Sequence, residues 1–119
     1  MSLEFVPSDY FATELKRLAK RYRGLADDYE AFLDSLKENP LQGTEIAPKI
    51  RKIRMPITAK GRGKSGGARI ITYNALVAEQ EGKIYLLLIY DKADASNIKM
   101  NVVCLLYTSD AADEARSVD

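Results

Sequence analysis

The apolar run at residues 84–90, Ile-Tyr-Leu-Leu-Leu-Ile-Tyr, constrains the fold more than any other segment. It is far too short to cross a bilayer, and it lacks the alternation of a strand with one solvated face. Such a run is typical of a central strand that is covered on both faces. At 119 residues, the chain has room for one compact domain and one modest core around that strand.

Two amphipathic helices are predicted before this strand. Residues 3–6 form a strand candidate that Pro7 closes, and Ser8 is placed to cap the first helix. Helical spacing gives that helix an apolar stripe: Phe11, Leu15, Leu18 and Tyr22. The second helix ends at Asn39-Pro40, and its stripe comprises Tyr29, Phe32, Leu33 and Leu36. The short link between the helices predicts an antiparallel hairpin.

A strand pattern replaces the helical one from residue 49. In segment 50–55, alternation places Lys52 and Arg54 on one face and Ile53 and Met55 on the other. The remaining segments are predicted as a loop (41–48), a glycine-rich loop (59–67), two strands (69–74 and 83–90) and a polar turn (76–82). The order β-α-α-β-β-β predicts an α+β fold in which the helical hairpin packs on an antiparallel sheet.

The C-terminal segment differs from the rest of the chain. Residues 104–114 resemble the translation of a transposon-based sequencing-library adapter. Just before them, residues 95–103 have the pattern of a helix start, with Ser96 as its cap and Ile98 and Val102 four residues apart. We therefore expect a domain at 1–103 whose C-terminal helix is truncated, followed by a non-native tail at 104–119.

Charge and composition narrow the function classes. The tail carries four of the 17 acidic residues and one of the 18 basic ones, so residues 1–103 have a net charge of +4. The chain has no histidine, which excludes Ser-His-Asp and Cys-His catalysis and zinc sites that need imidazole. A single cysteine, Cys104, allows no internal disulfide framework. Because the N-terminus lacks a secretory signal, we expect a cytoplasmic protein.

The segment 49–69 is rich in basic side chains and has no acidic one. Its eight cations are Lys49, Arg51, Lys52, Arg54, Lys60, Arg62, Lys64 and Arg69. A solvated face normally mixes both signs because like charges repel, so this density favours a polyanion such as nucleic acid as partner. Lysines that protect a sheet edge would explain only about three or four of these charges. The glycines let a backbone approach phosphates closely, although the spacing is not that of a P-loop.

Three segments together resemble one toxin superfamily. They read Ile-Arg-Lys-Ile-Arg-Met at 50–55, Lys-Gly-Arg-Gly-Lys-Ser-Gly-Gly-Ala-Arg-Ile-Ile-Thr-Tyr at 60–73, and Ile-Tyr-Leu-Leu-Leu-Ile-Tyr-Asp-Lys at 84–92. Over residues 3–103 this combination resembles the RelE/ParE superfamily of type II toxin-antitoxin toxins, and within it the HigB-like branch. The helix-helix-strand order also agrees with the fold of that family.

The resemblance implies ribosome-dependent cleavage of mRNA in the ribosomal A site, without a metal or any other cofactor. A ribose 2′-OH attacks the adjacent phosphate and leaves a 2′,3′-cyclic phosphate. The enzyme must deprotonate that hydroxyl, stabilise the extra negative charge at phosphorus and protonate the leaving 5′ oxygen. The implied partners are the ribosome, mRNA and a cognate antitoxin that is expected to be a helix-turn-helix protein. No membrane is implied.

Matched position by position, the family's basic residues imply a catalytic set: Lys52, Arg54, Arg69 and Lys92. Lys52 is the candidate base because a lysine among cations loses its proton more readily, whereas arginines suit bidentate phosphate binding. An RNA-binding set is implied beside it: Lys49, Arg51, Lys60, Arg62, Lys64 and Tyr90. Tyr90 could serve as the family's base-stacking tyrosine, although strand tyrosines such as Tyr73, Tyr85 and Tyr90 more often pack within a sheet. Asp91 either orients Lys92 or starts a turn.

Two other functions stay open. ParE-type proteins with the same fold inhibit DNA gyrase without nuclease activity, although they tend to lack this density of catalytic cations. The chain could also be an inactive RNA-binding remnant, because the family's C-terminal helix helps to shape the site and meets the antitoxin.

Overall fold

The computed structural model describes residues 3–60, 67–78 and 81–92. Within these ranges the chain forms two helices and one five-stranded sheet, so the predicted α+β class is confirmed. The elements are β1 (Leu3–Pro7), α1 (Asp9–Arg21), α2 (Leu25–Glu38), β2 (Thr44–Ala47), β3 (Ile50–Met55), a 3-10 turn (Thr58–Lys60), β4 (Ala68–Ala78) and β5 (Glu81–Asp91).

The sheet is mixed, with the strand order β1-β5-β4-β3-β2. β1 pairs parallel to β5, while the other neighbours are antiparallel, so the prediction of a purely antiparallel sheet is wrong. β1 joins the edge of the sheet beside β5, although α1, α2 and three further strands separate the two in sequence. A local strand pattern contains no information about the direction of such a distant pairing.

Two predicted loops are partly strand. The segment 41–48 contains β2, whose four residues are all exposed, and such an edge strand lacks the apolar alternation that marks a covered one. The predicted turn at 76–82 is mostly occupied by the ends of β4 and β5, which pair as far as Ala78 and Glu81. The predicted late helix and the tail at 104–119 lie outside the described residues.

Both helices form as their sequence patterns predict. Ser8 is the N-cap of α1, and its side chain accepts a hydrogen bond from the backbone N–H of Phe11 at 3.0 Å. Gly24 precedes α2 with a φ of 82°, a conformation that suits glycine, and Asn39 follows its last turn. In the described part of the chain, neither helix is long and apolar enough to cross a membrane.

The apolar stripes of both helices pack on one face of the sheet. This core contains Phe11, Leu18, Leu25, Phe32 and Leu36 from the helices and Ile53, Met55, Ala68, Ile70, Ile84, Leu86 and Ile89 from the strands. The other predicted stripe residues, Leu15, Tyr22, Tyr29 and Leu33, are partly buried against it. The helical hairpin therefore covers the face to which Ile53 and Met55 point, as alternation predicts.

We call the opposite side of the sheet the distal face. Its residues on β3, β4 and β5 include Ile50, Lys52, Arg54, Arg69, Ile71, Tyr73, Tyr85, Leu87, Leu88 and Tyr90. Ile50, Ile71, Leu87, Leu88 and Tyr90 form a second buried cluster there, with Tyr73 and Tyr85 packed against it. β5 is therefore an internal strand with buried residues on both faces, as predicted, while β4 takes the central position.

β5 contains a bulge at Leu87. Ile71 of β4 pairs with Leu88, whereas the next residue, Thr72, pairs with Leu86. Leu87 is therefore the extra residue on β5, and the alternation of side chains reverses across it.

The start of α1 holds this bulge. The Ser8 hydroxyl donates to the carbonyl of Leu87 at 2.9 Å, and the Ser8 backbone N–H donates to the carbonyl of Leu86 at 2.9 Å. Beyond the bulge, Tyr90 lies on the distal face, while Asp91 lies on the helical face opposite Ala68. One serine thus caps a helix and fixes the side to which the end of β5 points.

We expect Phe11→Ala to lower the free energy of unfolding by about 3–5 kcal/mol, because Phe11 is fully buried between α1 and the sheet. The matched control is Val77→Ala, at a side chain that is 79% exposed, with an expected change within about 0.5 kcal/mol. Urea unfolding followed by circular dichroism measures both. Equal losses in the two variants would contradict the assigned core.

Candidate nucleic-acid interface

Two arginines face each other across β3 and β4 on the distal face. Arg54 pairs directly with Arg69, and Arg69 pairs in turn with Tyr90 of β5. Side chains directly opposite on antiparallel strands have their Cβ atoms about 4.5–5.5 Å apart. Strand register therefore brings three residues of the predicted site into one row across the sheet.

Lys52 lies beside this row. It is two residues before Arg54 on β3, so the two Cα atoms are about 7 Å apart along the strand and their side chains share a face. Lys52 and Arg69 are half-buried and Arg54 is exposed. The distal positions of β3 and β4 carry no acid, and among the described residues neither Lys52 nor Arg69 has a carboxylate at ion-pair distance. The result is a dense positive patch at one end of the sheet.

Lys92 lies at the same end of the sheet. It follows Asp91, which pairs with Ala68, the neighbour of Arg69 on β4. The backbone N–H of Lys92 donates to the carbonyl of Gly67 at 3.4 Å, and its side chain is exposed. All four residues of the predicted catalytic set are thus at or next to the β3–β4–β5 end that Arg69 occupies.

Aromatic rings lie further along the distal face. Tyr73 and Tyr85 are paired across β4 and β5, and their ring centroids are 6.1 Å apart in an edge-on arrangement. Both pack against the second buried cluster, and Tyr90 is a buried member of it, with 4% of its surface exposed. The three tyrosines therefore contribute to packing, and Tyr90 also borders Arg69.

Two cations of the predicted RNA-binding set lie elsewhere. Arg51 is on the helical side of β3, where its guanidinium donates to the carbonyls of Gln42 and Gly43 at 3.0 and 3.1 Å. It thereby holds the segment before β2 against the sheet. Lys49 lies in the β2–β3 turn with a φ of 66°, at the opposite end of β3 from Arg54.

Lys60 is on the helical side as well. Its Nζ lies 2.6 Å from a carboxylate oxygen of Asp91, which is buried with 1% of its side chain exposed. The hydroxyl of Tyr22 donates to the other oxygen of Asp91, and Arg21 lies 3.6 Å from it. Lys60 also lies over the Tyr22 ring, 5.5 Å from its centroid. The hydrogen bond to Asp91 raises the pKa of Lys60 above the ordinary lysine value, so Lys60 carries its positive charge at neutral pH.

Sequence reasoning missed this cluster for identifiable reasons. Tyr22 has the spacing of a core residue, and Asp91 reads as a turn residue or a partner of Lys92. The side to which Asp91 points depends on the bulge at Leu87, for which the apolar sequence of β5 gives no signal.

Arg62 and Lys64, the remaining cations of the RNA-binding set, lie outside the described residues. No protein-family model matches the chain.

We expect Arg69→Met to raise the free energy of unfolding by about 0.2–1 kcal/mol, because it removes one of two like charges that face each other directly while keeping the aliphatic stem. The gain should shrink as salt screens the repulsion. The control is Arg17→Met, which breaks an exposed pair with Glu14 and is expected to lower stability by about 0.2–0.5 kcal/mol. A loss of stability in Arg69→Met would show that Arg69 is held by favourable contacts.

The Lys60–Asp91 pair should make stability fall in alkali. Because the folded-state pKa of Lys60 is raised, the contribution of the pair is complete below the unfolded pKa of 10.5 and is lost as pH rises through the folded pKa. Burial also raises the pKa of Tyr29 above 10.0, which acts in the same direction because the unfolded phenol ionises first.

Urea unfolding between about pH 8 and about pH 11.5 measures this decline. Lys60→Met should lose less stability over that range than the unmodified chain, and Tyr29→Phe should remove a separate part of the decline. An identical alkaline decline in Lys60→Met and the unmodified chain would contradict the assigned pair.

Proposed function

We propose that this chain is an mRNA endoribonuclease that cuts on the ribosome and acts as the toxin of a type II toxin-antitoxin pair. The observation that carries the proposal is the Arg54–Arg69 pair, directly opposed across two strands with Lys52 on the same face. Opposed like charges destabilise a sheet, and an anion bound between them removes that cost. A phosphate of an RNA backbone is the ligand that best fits two planar cations and a lysine.

The chemistry requires three tasks, and the patch offers groups for them. Lys52 takes the proton of the attacking ribose 2′-OH, which then forms a bond to the adjacent phosphorus. Arg54 and Arg69 stabilise the charge that develops on the phosphate oxygens in the transition state. The 5′ oxygen leaves with a proton, and we assign its donation to Lys92, which lies at the same end of the sheet. The products are a 2′,3′-cyclic phosphate and a 5′-hydroxyl.

The fold and the sequence resemblance support the same proposal. Two helices followed by antiparallel strands β3, β4 and β5 agree with part of the order implied by the RelE/ParE superfamily, while β2 is an additional edge strand. We propose that the chain is a HigB-like member of that superfamily. The cytoplasm, where ribosomes and mRNA are found, is the compartment that this function requires. A helix-turn-helix antitoxin is the proposed inhibitor.

We expect Arg69→Met to lower the cleavage rate by about 10²–10³-fold, because it removes one donor to the charge that develops at phosphorus. The assay induces the chain in a bacterial host and maps the new 5′ ends of translated mRNA. Arg17→Met is the matched control, since it removes an arginine on α1 that is 56% exposed and paired with Glu14, and it should cleave normally. Purified ribosomes programmed with mRNA then show whether cleavage needs the ribosome.

Other outcomes identify other functions. Growth arrest with intact mRNA and double-strand DNA breaks would replace the nuclease with a gyrase inhibitor of the ParE type. Ribosome binding without new 5′ ends, unchanged in Arg69→Met, would indicate an inactive RNA-binding remnant. Both outcomes contradict the assignment of catalysis to the opposed arginines.

A further inference from the structure

A second concentration of positive charge lies outside the proposed catalytic patch, in the last turns of α1 and the link after it. Residues 16–23 contain five cations and no acid. The helix buries Leu18 against the sheet, while the cations of this segment are all exposed: Lys16, Arg17, Lys20, Arg21 and Arg23. They therefore lie on the solvent side of the helical layer.

Two of these cations have acidic partners. Arg17 pairs with Glu14 at 2.8 Å, and Arg21 lies 3.6 Å from the buried carboxylate of Asp91. The helix dipole favours cations in the last turn, which gives Lys20 a structural role as well. Ion pairs and the helix dipole therefore explain only part of the charge.

We call the other three cations the α1 cationic face: Lys16, Lys20 and Arg23. In the part of the chain that the structure describes, no carboxylate lies at ion-pair distance from them. Two acids of α2 have other partners, since Asp28 binds the turn after β3 and Asp34 pairs within α2 at 3.7 Å. Lys16 and Lys20 are four residues apart, a spacing at which like charges repel on a helix, and a bound anion removes that repulsion.

The end of α1 lies against the end of the sheet that carries the proposed catalytic patch. The hydroxyl of Tyr22, the residue after α1, donates to Asp91 at the end of β5, and Arg21 lies beside the same carboxylate. Lys92, the next residue of the chain, is exposed at this end, and β4 brings Arg69 there through its pairing with β5. Cations therefore continue around one end of the sheet, from α1 to the distal face.

The composition of the α1 cationic face indicates the class of its partner. Protein interfaces combine an apolar core with a polar rim. Across the described ranges, the large apolar side chains that are exposed are Tyr10, Leu41, Ile46 and Val77, and none of them belongs to residues 16–23. A surface that offers cations without an apolar anchor suits a phosphate backbone, whose binding is mainly electrostatic.

We propose that the α1 cationic face is a second binding surface for the substrate RNA, which holds the phosphates of nucleotides that pass around the end of the sheet from the distal face. This inference rests on the proposed function, because it takes RNA as the ligand of the catalytic patch. The α1 cationic face adds affinity through charge and touches neither the scissile phosphate nor the attacking hydroxyl. A longer RNA gains affinity from α1, whereas an RNA that covers only the catalytic patch does not.

RNA binding as a function of length tests this surface. The probes are labelled single strands of about 4 and about 16 nucleotides, 2′-O-methylated so that neither can be cut, and fluorescence anisotropy gives their Kd. Lys16→Glu should raise the Kd of the longer strand by about three- to tenfold and lower its salt slope by about 0.7, because one phosphate contact is lost. The Kd of the shorter strand should stay unchanged.

Lys37→Glu is the matched control. It changes the net charge by the same amount at a lysine of α2 that is 62% exposed and lies outside the α1 cationic face. Its Kd for both strands should match that of the unmodified chain within about twofold, because salt screens charges that do not contact the RNA. Arg23→Glu, in the link after α1, tests the same face without a change inside the helix.

Cleavage kinetics on bacterial ribosomes programmed with mRNA give a second readout. Lys16→Glu should raise KM by about three- to tenfold with kcat nearly unchanged, because the lost contact is equally strong in the ground state and the transition state. Arg69→Met should instead lower kcat, since it acts at the reacting phosphate.

Equal Kd values in Lys16→Glu and Lys37→Glu would overturn the proposal, as would equal weakening of the short and long strands by Lys16→Glu. Loss of binding to poly-L-glutamate with RNA binding unchanged would assign the α1 cationic face to an acidic protein instead. If the unmodified chain leaves mRNA intact while α1 still contributes to RNA binding, the proposed function fails by itself. If the chain cleaves mRNA and both variants bind RNA equally, only this inference fails.

Discussion

The bulge at Leu87 is the constraint on which the rest of the structure depends. It reverses the alternation of β5, so that Tyr90 joins Arg69 on the distal face and Asp91 turns towards the helices. The Ser8 hydroxyl binds the Leu87 carbonyl, and the same oxygen caps α1. The start of α1, the bulge and the end of β5 are therefore one connected unit.

Strand alternation in β3 and β4, together with this bulge, places the described cations in two groups. On the helical side, Lys60 and Arg21 lie beside the buried carboxylate of Asp91, and Arg51 donates hydrogen bonds to two backbone carbonyls. On the distal side, Lys52 and Arg69 have no carboxylate near them among the described residues. Like charges on directly paired strand positions repel each other. The cations of one basic sequence segment are therefore divided between contacts that hold the fold and positions on the distal face.

Much of the fold was predictable because it follows from local patterns. The cap at Ser8, the helical stripes and the alternation that sets Lys52 and Arg54 apart from Ile53 and Met55 all depend on residues within a few positions of one another. β2 was missed because an exposed edge strand needs no apolar side chains. The parallel pairing of β1 was missed because β1 pairs with β5, which is far away in sequence, and a local pattern does not set the direction of such a pairing.

The candidate site likewise combines features that the sequence predicts with features that only the tertiary structure decides. The sequence by itself determined that the segment 49–69 is densely cationic, that Lys52 and Arg54 share a face, and that residues 84–90 form a strand buried on both sides. Only the tertiary structure decided that Arg54 faces Arg69, that Tyr90 lies beside it, and that Lys60 turns away to Asp91. The physical reason is that register and bulge are properties of paired strands, set by contacts between residues far apart in the chain.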